Sequence, residues 1–134
     1  MIKKVMDESN TGFMNYIGGL SLKKLDTHNF EFSVTIKDVH LNTGKIAHGG
    51  FLSTIADTGM GTAAHMVMEN KRCVTISLEL KFISAALLNQ VLTGKIKIQK
   101  KTKSLVFITC EILNSAGVVV TASGVWKMLQ SLKN

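Results

Sequence analysis

One stretch of the chain has apolar residues at every third or fourth position, and several others alternate apolar with polar residues. The helical spacing begins after Gly50 and predicts an amphipathic helix of about twenty residues, roughly 30 Å long. Its predicted apolar face consists of Leu52, Ile55, Ala56, Gly59, Met60, Ala63, Met66 and Val67. The turn Glu69-Asn70-Lys71-Arg72 follows, and its basic residues suit the negative end of a helix dipole.

Alternating stretches lie on both sides of this helix. Upstream, LSLKKLDTHNFEFSVTIK alternates on either side of the turn Asp26-Thr27-His28-Asn29, which predicts a β-hairpin. Downstream, the strands CVTISLELKFIS, VLTGKIKIQKK, LVFITCEILN and VVVTASGVWKML are predicted. In the first of these, strict alternation puts Val74, Ile76, Leu78, Leu80 and Phe82 on one face and Thr75, Ser77, Glu79 and Lys81 on the other.

The order of the elements predicts the fold class. Residues 3–17 are predicted to form a short amphipathic helix, whose candidate buried positions are Val5, Met6, Phe13, Met14 and Ile17. A helix, two strands, a long helix and four strands indicate an α+β fold, in which a mostly antiparallel sheet wraps around one long central helix. With 134 residues and neither a linker nor a repeat, the chain is expected to be a single domain over residues 1–134.

Composition excludes several classes of protein. Hydrophobic residues make up 46% and charged residues 19% of the chain, as in globular rather than disordered proteins. No apolar run reaches the roughly 18 residues that a membrane span needs, and no apolar stretch follows the N-terminal lysines, so we expect no signal peptide. Cys73 and Cys110 lie in strand-like stretches, which favours buried free thiols and a cytoplasmic location.

The formal net charge of +7 suits nucleic acid, a membrane surface or an anionic small molecule as partner. Five lysines cluster at Lys95, Lys97, Lys100, Lys101 and Lys103 without interleaved aromatic residues. This argues against a stacking platform for nucleic acid and leaves open a solvated strand face or an anion site. No pair of histidines or cysteines has zinc-ligand spacing, so neither a metal nor another cofactor is expected.

Candidate chemistry lies at the start of the long helix. Gly44 marks a bend in the preceding loop, and the pair Gly49-Gly50 allows close approach of the backbone to another group. Asp57 lies in the middle of a helix that is apolar on most sides. Such a carboxylate needs a partner or a raised pKa, which makes it a candidate acid or base. We expect His28 and His40 in surface loops and His65 in packing at the helix end.

The segment with Asn42, Gly44 and His48-Gly49-Gly50, followed by Asp57, resembles the hotdog-fold acyl-CoA thioesterases. It is most similar to the phenylacetic-acid-degradation (PaaI-like) branch, and the resemblance spans about residues 10 to 129. It implies a hotdog fold, hydrolysis of acyl-CoA to free acid and CoA, and a homodimer or homotetramer. The alternatives are a non-catalytic acyl-thioester-binding module, a hotdog hydratase or dehydratase, or a basic nucleic-acid-binding domain.

The resemblance also implies roles for individual residues. The Gly49 amide would polarise the thioester carbonyl, His48 would support that end of the site, and Asp57 would be the nucleophile or general base. Asn42 matches the family's loop asparagine, and Thr75 matches a hydroxyl on the next strand. Substrate contacts, including those to the phosphates of CoA, are expected from Gly50, Arg72, Lys81, Lys101 and Lys103.

Helix geometry constrains this site. Gly49 and Asp57 are eight residues apart, or about 12 Å along one helix, so one acyl carbon cannot lie near both within a single chain. We therefore expect a composite site, with Gly49, His48 and Asn42 from one subunit and Asp57 and Thr75 from a two-fold mate. A structural role is the alternative for each: His48 as a cap, Asn42 as a turn residue, Asp57 as a paired carboxylate and Thr75 as a strand former.

Overall fold

The computed structural model describes residues 3–5 and 10–130, in which one antiparallel sheet wraps around one long helix. The elements are β1 (Lys3–Val5), α1 (Gly12–Tyr16), β2 (Ser21–Lys24), β3 (Asn29–Thr35), α2 (Gly49–Val67), β4 (Cys73–Phe82), β5 (Val91–Lys101), β6 (Leu105–Asn114) and β7 (Gly117–Met128). The sheet has the order β1-β2-β3-β5-β6-β7-β4. The predicted α+β class, the hairpin, the long helix and the four downstream strands are all confirmed.

Helix α2 buries the face that its periodicity predicts. Leu52, Ile55, Ala56, Met60 and Ala63 are all buried because the concave face of the sheet covers that side of the helix. The rest of the predicted face also contacts the core, where Gly59 is buried and Met66 and Val67 are partly buried.

Two glycines let one aromatic ring lie between helix and sheet. A Cβ atom on Gly94 of β5 would lie 2.1 Å from the ring of Phe32, and one on Gly59 of α2 would lie 2.6 Å from it. The Phe32 side chain has no exposed surface. Both positions therefore require glycine, since any side chain there would overlap the ring.

The predicted helix over residues 3–17 is wrong. Lys3–Val5 forms β1 and pairs with β2, and the helix begins only at Gly12, which has a φ of +53°. Pairing with an open sheet edge satisfies the backbone better than an isolated short helix, which is marginal in water. Met14 is buried as predicted, whereas Phe13 is 65% exposed. The side chains of Val5 and Met6 lie outside the described residues.

The predicted alternation along β4 is wrong for its first residues. The register with β7 shifts between Thr75 and Ser77, where β4 contains a β-bulge. Thr75 lies opposite Trp126, which is buried against the helix side of the sheet. The extra residue reverses the alternation before the bulge. Thr75 therefore shares the helix-facing side with Leu78 and Leu80.

The bulge leaves apolar side chains exposed at the edge of the sheet. Val74 and Ile76 are 43% and 56% exposed, whereas Leu78, predicted to share their face, is partly buried. Gly124 of β7 lies opposite the bulge, and a Cβ atom there would be 2.6 Å from the Ser77 carbonyl oxygen. The lack of a side chain at Gly124 therefore makes room for the irregular backbone of β4.

Both cysteines are free thiols. Cys110 on β6 is buried, as predicted, whereas Cys73 at the start of β4 is only half-buried. Burial raises the pKa of the Cys110 thiol to about 12, with a smaller contribution from Glu111. Across the described ranges, no helix is both long enough and apolar enough to cross a membrane.

Candidate active site

The N-terminus of α2 is organised by His48. This residue is the N-cap, with extended backbone angles, and its Nδ1 accepts a hydrogen bond from the Gly50 N–H at 2.7 Å. An accepting Nδ1 carries no proton, so the neutral ring carries its proton on Nε2. A Cβ atom on Gly50 would lie 2.9 Å from Nδ1. Gly50 therefore has to be glycine for His48 to cap the helix.

Gly49 is the first residue of α2. Among the described residues its N–H has no hydrogen-bond acceptor, and it lies at the positive end of the helix dipole. The ring of Phe82 flanks it, since a Cβ atom on Gly49 would be 3.6 Å from that ring. The Gly49 amide can therefore bind a negatively charged oxygen beside an aromatic wall.

Asp57 and Thr75 are brought together, as the sequence predicts for one subunit. The Thr75 hydroxyl donates a hydrogen bond to Oδ1 of Asp57 at 2.7 Å. Asp57 is half-buried on α2, and its Oδ2 has no hydrogen-bond partner within residues 10–130. The contact depends on the bulge in β4, because strict alternation would turn Thr75 away from the helix. A carboxylate with one oxygen held and one open can accept a proton or attack a carbon.

Asn42 shapes the loop before the helix. Its Oδ1 accepts hydrogen bonds from the N–H groups of Gly44 at 2.8 Å and Ile46 at 3.3 Å. Its own N–H donates to the Ile46 carbonyl at 2.8 Å. The side-chain oxygen of Asn42 thus closes an Asx turn, and a contact between Asn42 and substrate remains a prediction.

Three of the candidate phosphate-binding residues lie at one end of the sheet. Backbone hydrogen bonds of 2.8 Å link the end of β7 to the carbonyls of Arg72 and Ser104. The turn around Ser104 carries Lys101 and Lys103, so these lysines and Arg72 flank the same strand end. All three cationic side chains are exposed.

Lys81 lies far from that group within one chain. It is nine residues from Arg72 along β4, or about 30 Å. Its Nζ is 2.9 Å from Oε1 of Glu79, and both side chains are 69% exposed. The hydrogen bond and charge of Lys81 lower the pKa of Glu79.

The two halves of the candidate site are separate in one chain. Gly49 and Asp57 both lie on α2, eight residues apart, which is about 12 Å along the axis. One end of α2 therefore offers an amide, and its middle offers a carboxylate with a hydroxyl. Within the described ranges, no group of three or more histidine, cysteine or acidic residues could hold a metal ion.

The prediction that His40 lies in a surface loop is wrong. Its exposed fraction is 2%, and its ring stacks on that of Phe51 with the centroids 3.8 Å apart. The only signal in the sequence is that His40 lies between Val39 and Leu41, which is weak evidence for burial. His28 is exposed, as predicted, and His65 contacts the Lys71 carbonyl at the end of α2.

The sequence of this chain is similar to the sequences of known proteins. The sequence model of the thioesterase superfamily matches residues 44–121. The esterase-like protein PA0474 of Pseudomonas aeruginosa is 32% identical over 97 residues, which are 72% of each chain.

Solved structures of other proteins have a fold similar to that of this chain. The PaaI protein of the Escherichia coli phenylacetic acid degradation operon superposes with a TM-score of 0.81 at 20% identity, over 91% of this chain and 87% of that one. A hypothetical thioesterase of Streptococcus pneumoniae TIGR4, solved with coenzyme A, superposes with a TM-score of 0.77 at 20% identity, over 87% of this chain and 93% of that one.

Proposed function

We propose that this chain, which belongs to the thioesterase superfamily and has its hotdog fold, hydrolyses acyl-CoA to a free acid and CoA. The observation that carries the proposal is the Asp57 carboxylate, held by Thr75 at 2.7 Å on the helix that begins with the open Gly49 amide. These groups supply what thioester hydrolysis requires. The coenzyme A bound to the pneumococcal structure supports a CoA thioester as the substrate.

The Gly49 amide acts on the thioester carbonyl. As the carbon is attacked, its oxygen becomes negative, and a helix N-terminal N–H stabilises that charge. Asp57 either removes a proton from the attacking water or attacks the carbon itself, which forms an anhydride that water then opens. The C–S bond breaks in both routes, and CoA leaves as a thiolate that needs no strong acid.

The site requires two copies of the chain, because Gly49 and Asp57 are about 12 Å apart on one helix. Strand β4 is one of the two edge strands of the sheet, and its exposed Val74 and Ile76 suit pairing with a second edge. Two copies of β4 that pair antiparallel about a two-fold axis between Leu78 and Glu79 bring Thr75 of one copy opposite Phe82 of the other. Asp57 then faces the partner's Gly49, since Thr75 contacts Asp57 and Phe82 flanks Gly49.

The same pairing gathers the basic residues. Lys81 lies near the last residue of β4, so in this pairing it lies close to the first residues of the partner's β4. Those residues directly follow Arg72. Arg72, Lys101 and Lys103 of one copy and Lys81 of the other would then form one cationic rim beside the site. Arginine and lysine side chains at such a rim suit the phosphates of CoA.

One substitution tests the amide directly. Gly49 is the first helical residue, where proline is well tolerated, and His48 already has the extended ψ of 135° that a residue before proline requires. Gly49→Pro therefore removes one N–H without breaking α2, and kcat/KM should fall by about 10²- to 10³-fold. Gly49→Ala is the matched control, since it adds a Cβ at ordinary contact distance from Phe82 and keeps the N–H.

Mixed dimers test the composite site. A tagged Asp57→Asn chain combined with a Gly49→Pro chain regenerates one intact site, so a purified heterodimer should recover about half of the wild-type activity. The activity of either homodimer alone should stay about 10²-fold or more below wild type. A confirmed heterodimer without recovery would remove the two-chain site.

A panel of short, medium and aromatic acyl-CoA esters, assayed by thiol release, tests the activity itself. Hydrolysis of at least one ester, lost in Asp57→Asn, is the expected result. If wild type hydrolyses none of them but still binds CoA thioesters tightly, the protein is a non-catalytic binding module.

A further inference from the structure

Among residues 10–130, His40 is the only polar or charged side chain that is fully buried. It belongs to the short 3-10 helix Asp38–His40, two residues before Asn42 and eight before His48. Burying a polar ring without hydrogen bonds is unfavourable, so its contacts identify what the ring holds in place.

Both ring nitrogens of His40 are hydrogen-bonded to the backbone. Nδ1 accepts from the Lys37 N–H at 2.9 Å, and Nε2 lies 2.6 Å from the Ile17 carbonyl oxygen. Because a backbone N–H can only donate, Nδ1 carries no proton, and the neutral ring must donate from Nε2 to Ile17. His40 therefore joins the end of α1 to the segment after β3 in one fixed orientation.

The same residue holds the chain on both sides of Gly49. The His40 carbonyl accepts a hydrogen bond from the His48 N–H at 2.8 Å. The His40 ring stacks on Phe51, with the centroids 3.8 Å apart and the planes inclined by 10°. His48 precedes Gly49, and Phe51 follows it by two residues.

We propose that His40 is a positioning residue for the Gly49 amide. Gly49-Gly50 has no side chains with which to anchor itself, and glycine has more backbone freedom than any other residue. The orientation of the Gly49 N–H must therefore be fixed by its neighbours, and His40 fixes one on each side. His40 touches no substrate, so it acts through the backbone. The inference rests on the proposed thioesterase function.

Three variants separate the contacts of the ring. His40→Phe keeps an aromatic ring against Phe51 and removes both hydrogen bonds. His40→Asn retains an acceptor near Nδ1 for the Lys37 N–H, and His40→Gln retains a donor near Nε2 for Ile17. Met14→Ala is the matched control, because it loosens the packing of α1 without touching any bond of His40.

The kinetic expectation is a specific loss of turnover. A shift of about 1 Å at a catalytic group costs about 10²-fold, so His40→Phe should lower kcat about 10²-fold with KM changed less than about twofold. His40→Asn and His40→Gln should each recover part of that loss, and Met14→Ala should keep wild-type kcat well below its melting temperature. Equal kcat losses in His40→Phe and Met14→Ala would overturn the inference, because they indicate a merely structural role.

Amide NMR gives a readout that does not require activity. In His40→Phe, the Gly49 and Gly50 amide resonances should shift, and these amides should exchange with solvent faster than in wild type. If His40→Phe does not fold, the same measurement is made on His40→Asn and His40→Gln. Unchanged Gly49 and Gly50 amides would overturn the positioning role even in an active enzyme. A wild-type protein that hydrolyses no acyl-CoA would instead remove the proposed function, and amide exchange would still decide the role of His40.

Discussion

The two flanks of α2 use the same helix in opposite ways. On the closed flank, formed by β3 and β5, the ring of Phe32 fills the space between Gly59 and Gly94. On the open flank, formed by the edge strand β4, Asp57 meets Thr75 beside exposed surface. Asp57 and Gly59 are only two positions apart, which places them on nearly opposite sides of the helix.

The difference separates a tightly packed flank from the flank on which the proposed function depends. Closely packed interiors have low compressibility, so the closed flank fixes the distance between helix and sheet. The open flank can then hold the Asp57 carboxylate and the Thr75 hydroxyl without tight packing around these two groups. We expect substitutions on the closed flank to impair folding and those on the open flank to impair activity.

The largest effect is expected from Gly94→Ala. The added methyl group would lie 2.1 Å from the Phe32 ring, and overpacking of this kind costs about 1–3 kcal/mol or more. The melting temperature should fall by about 3–15 °C, as measured by thermal unfolding. Adding Phe32→Leu should restore part of the loss because it vacates the space. A Gly94→Ala protein as stable as wild type would show that the closed flank is not tightly packed.

An intermediate effect is expected from Thr75→Val on the open flank. It removes a hydrogen bond to a charged group, worth about 1.5–3 kcal/mol, so kcat/KM should fall by about 10- to 100-fold while the melting temperature changes by less than about 3 °C. Thr75→Ser keeps the hydroxyl and should retain most activity. A large loss of stability in Thr75→Val without loss of activity would reverse the assignment of the two flanks.

The smallest effect is expected in the reactivity of the two thiols. Cys110 lies on the buried face of β6 and has a pKa raised to about 12, whereas Cys73 on β4 is half-buried, and burial raises its pKa as well. A thiol reagent at pH 8 should therefore label Cys73 first and Cys110 only after unfolding, as followed by peptide mass spectrometry. Earlier labelling of Cys110 would contradict the burial of the sheet interior.

The raised pKa of Cys110 also makes stability depend on pH. In the unfolded chain the thiol ionises near its ordinary pKa of about 8.5, whereas in the folded chain it stays protonated until about pH 12. The contribution of this group to the free energy of unfolding is therefore complete below about pH 8.5 and decreases as the pH rises toward 12. Cys110→Ala should remove this part of the alkaline dependence.

Most of the fold could be predicted from the sequence because burial of one face imposes a period. The spacing along α2 and the alternation in the hairpin reflect that constraint directly. Residues 3–17 could not be predicted in this way, because β1 forms against an edge that only the folded sheet provides. Met14 was still recognised as a buried residue, since its burial depends on the local apolar pattern of α1.

The site was predicted in part. The resemblance assigns Asp57 and Thr75 to the same half of the site, and the structure shows a hydrogen bond between them, although alternation alone puts Thr75 on the opposite face. No local signal marks the bulge, because Ile76 favours a strand just as Val74 and Thr75 before it do. The burial of His40 depends on Ile17 and Phe51, which lie 23 positions before it and 11 positions after it in the sequence. The residues next to His40 therefore do not indicate that it is buried.

The bulge in β4 also affects how relatives should be compared with this chain. Thr75 lies seven positions before Phe82, but one of the residues between them, Ile76, is the extra residue of the bulge and contributes nothing to the alternation. A homologue without that insertion would present the same hydroxyl one position nearer to the aromatic residue. Equivalent positions along this strand are therefore identified by superposition and not by counting, and a gap in an alignment here can conceal an unchanged contact between the hydroxyl and the carboxylate.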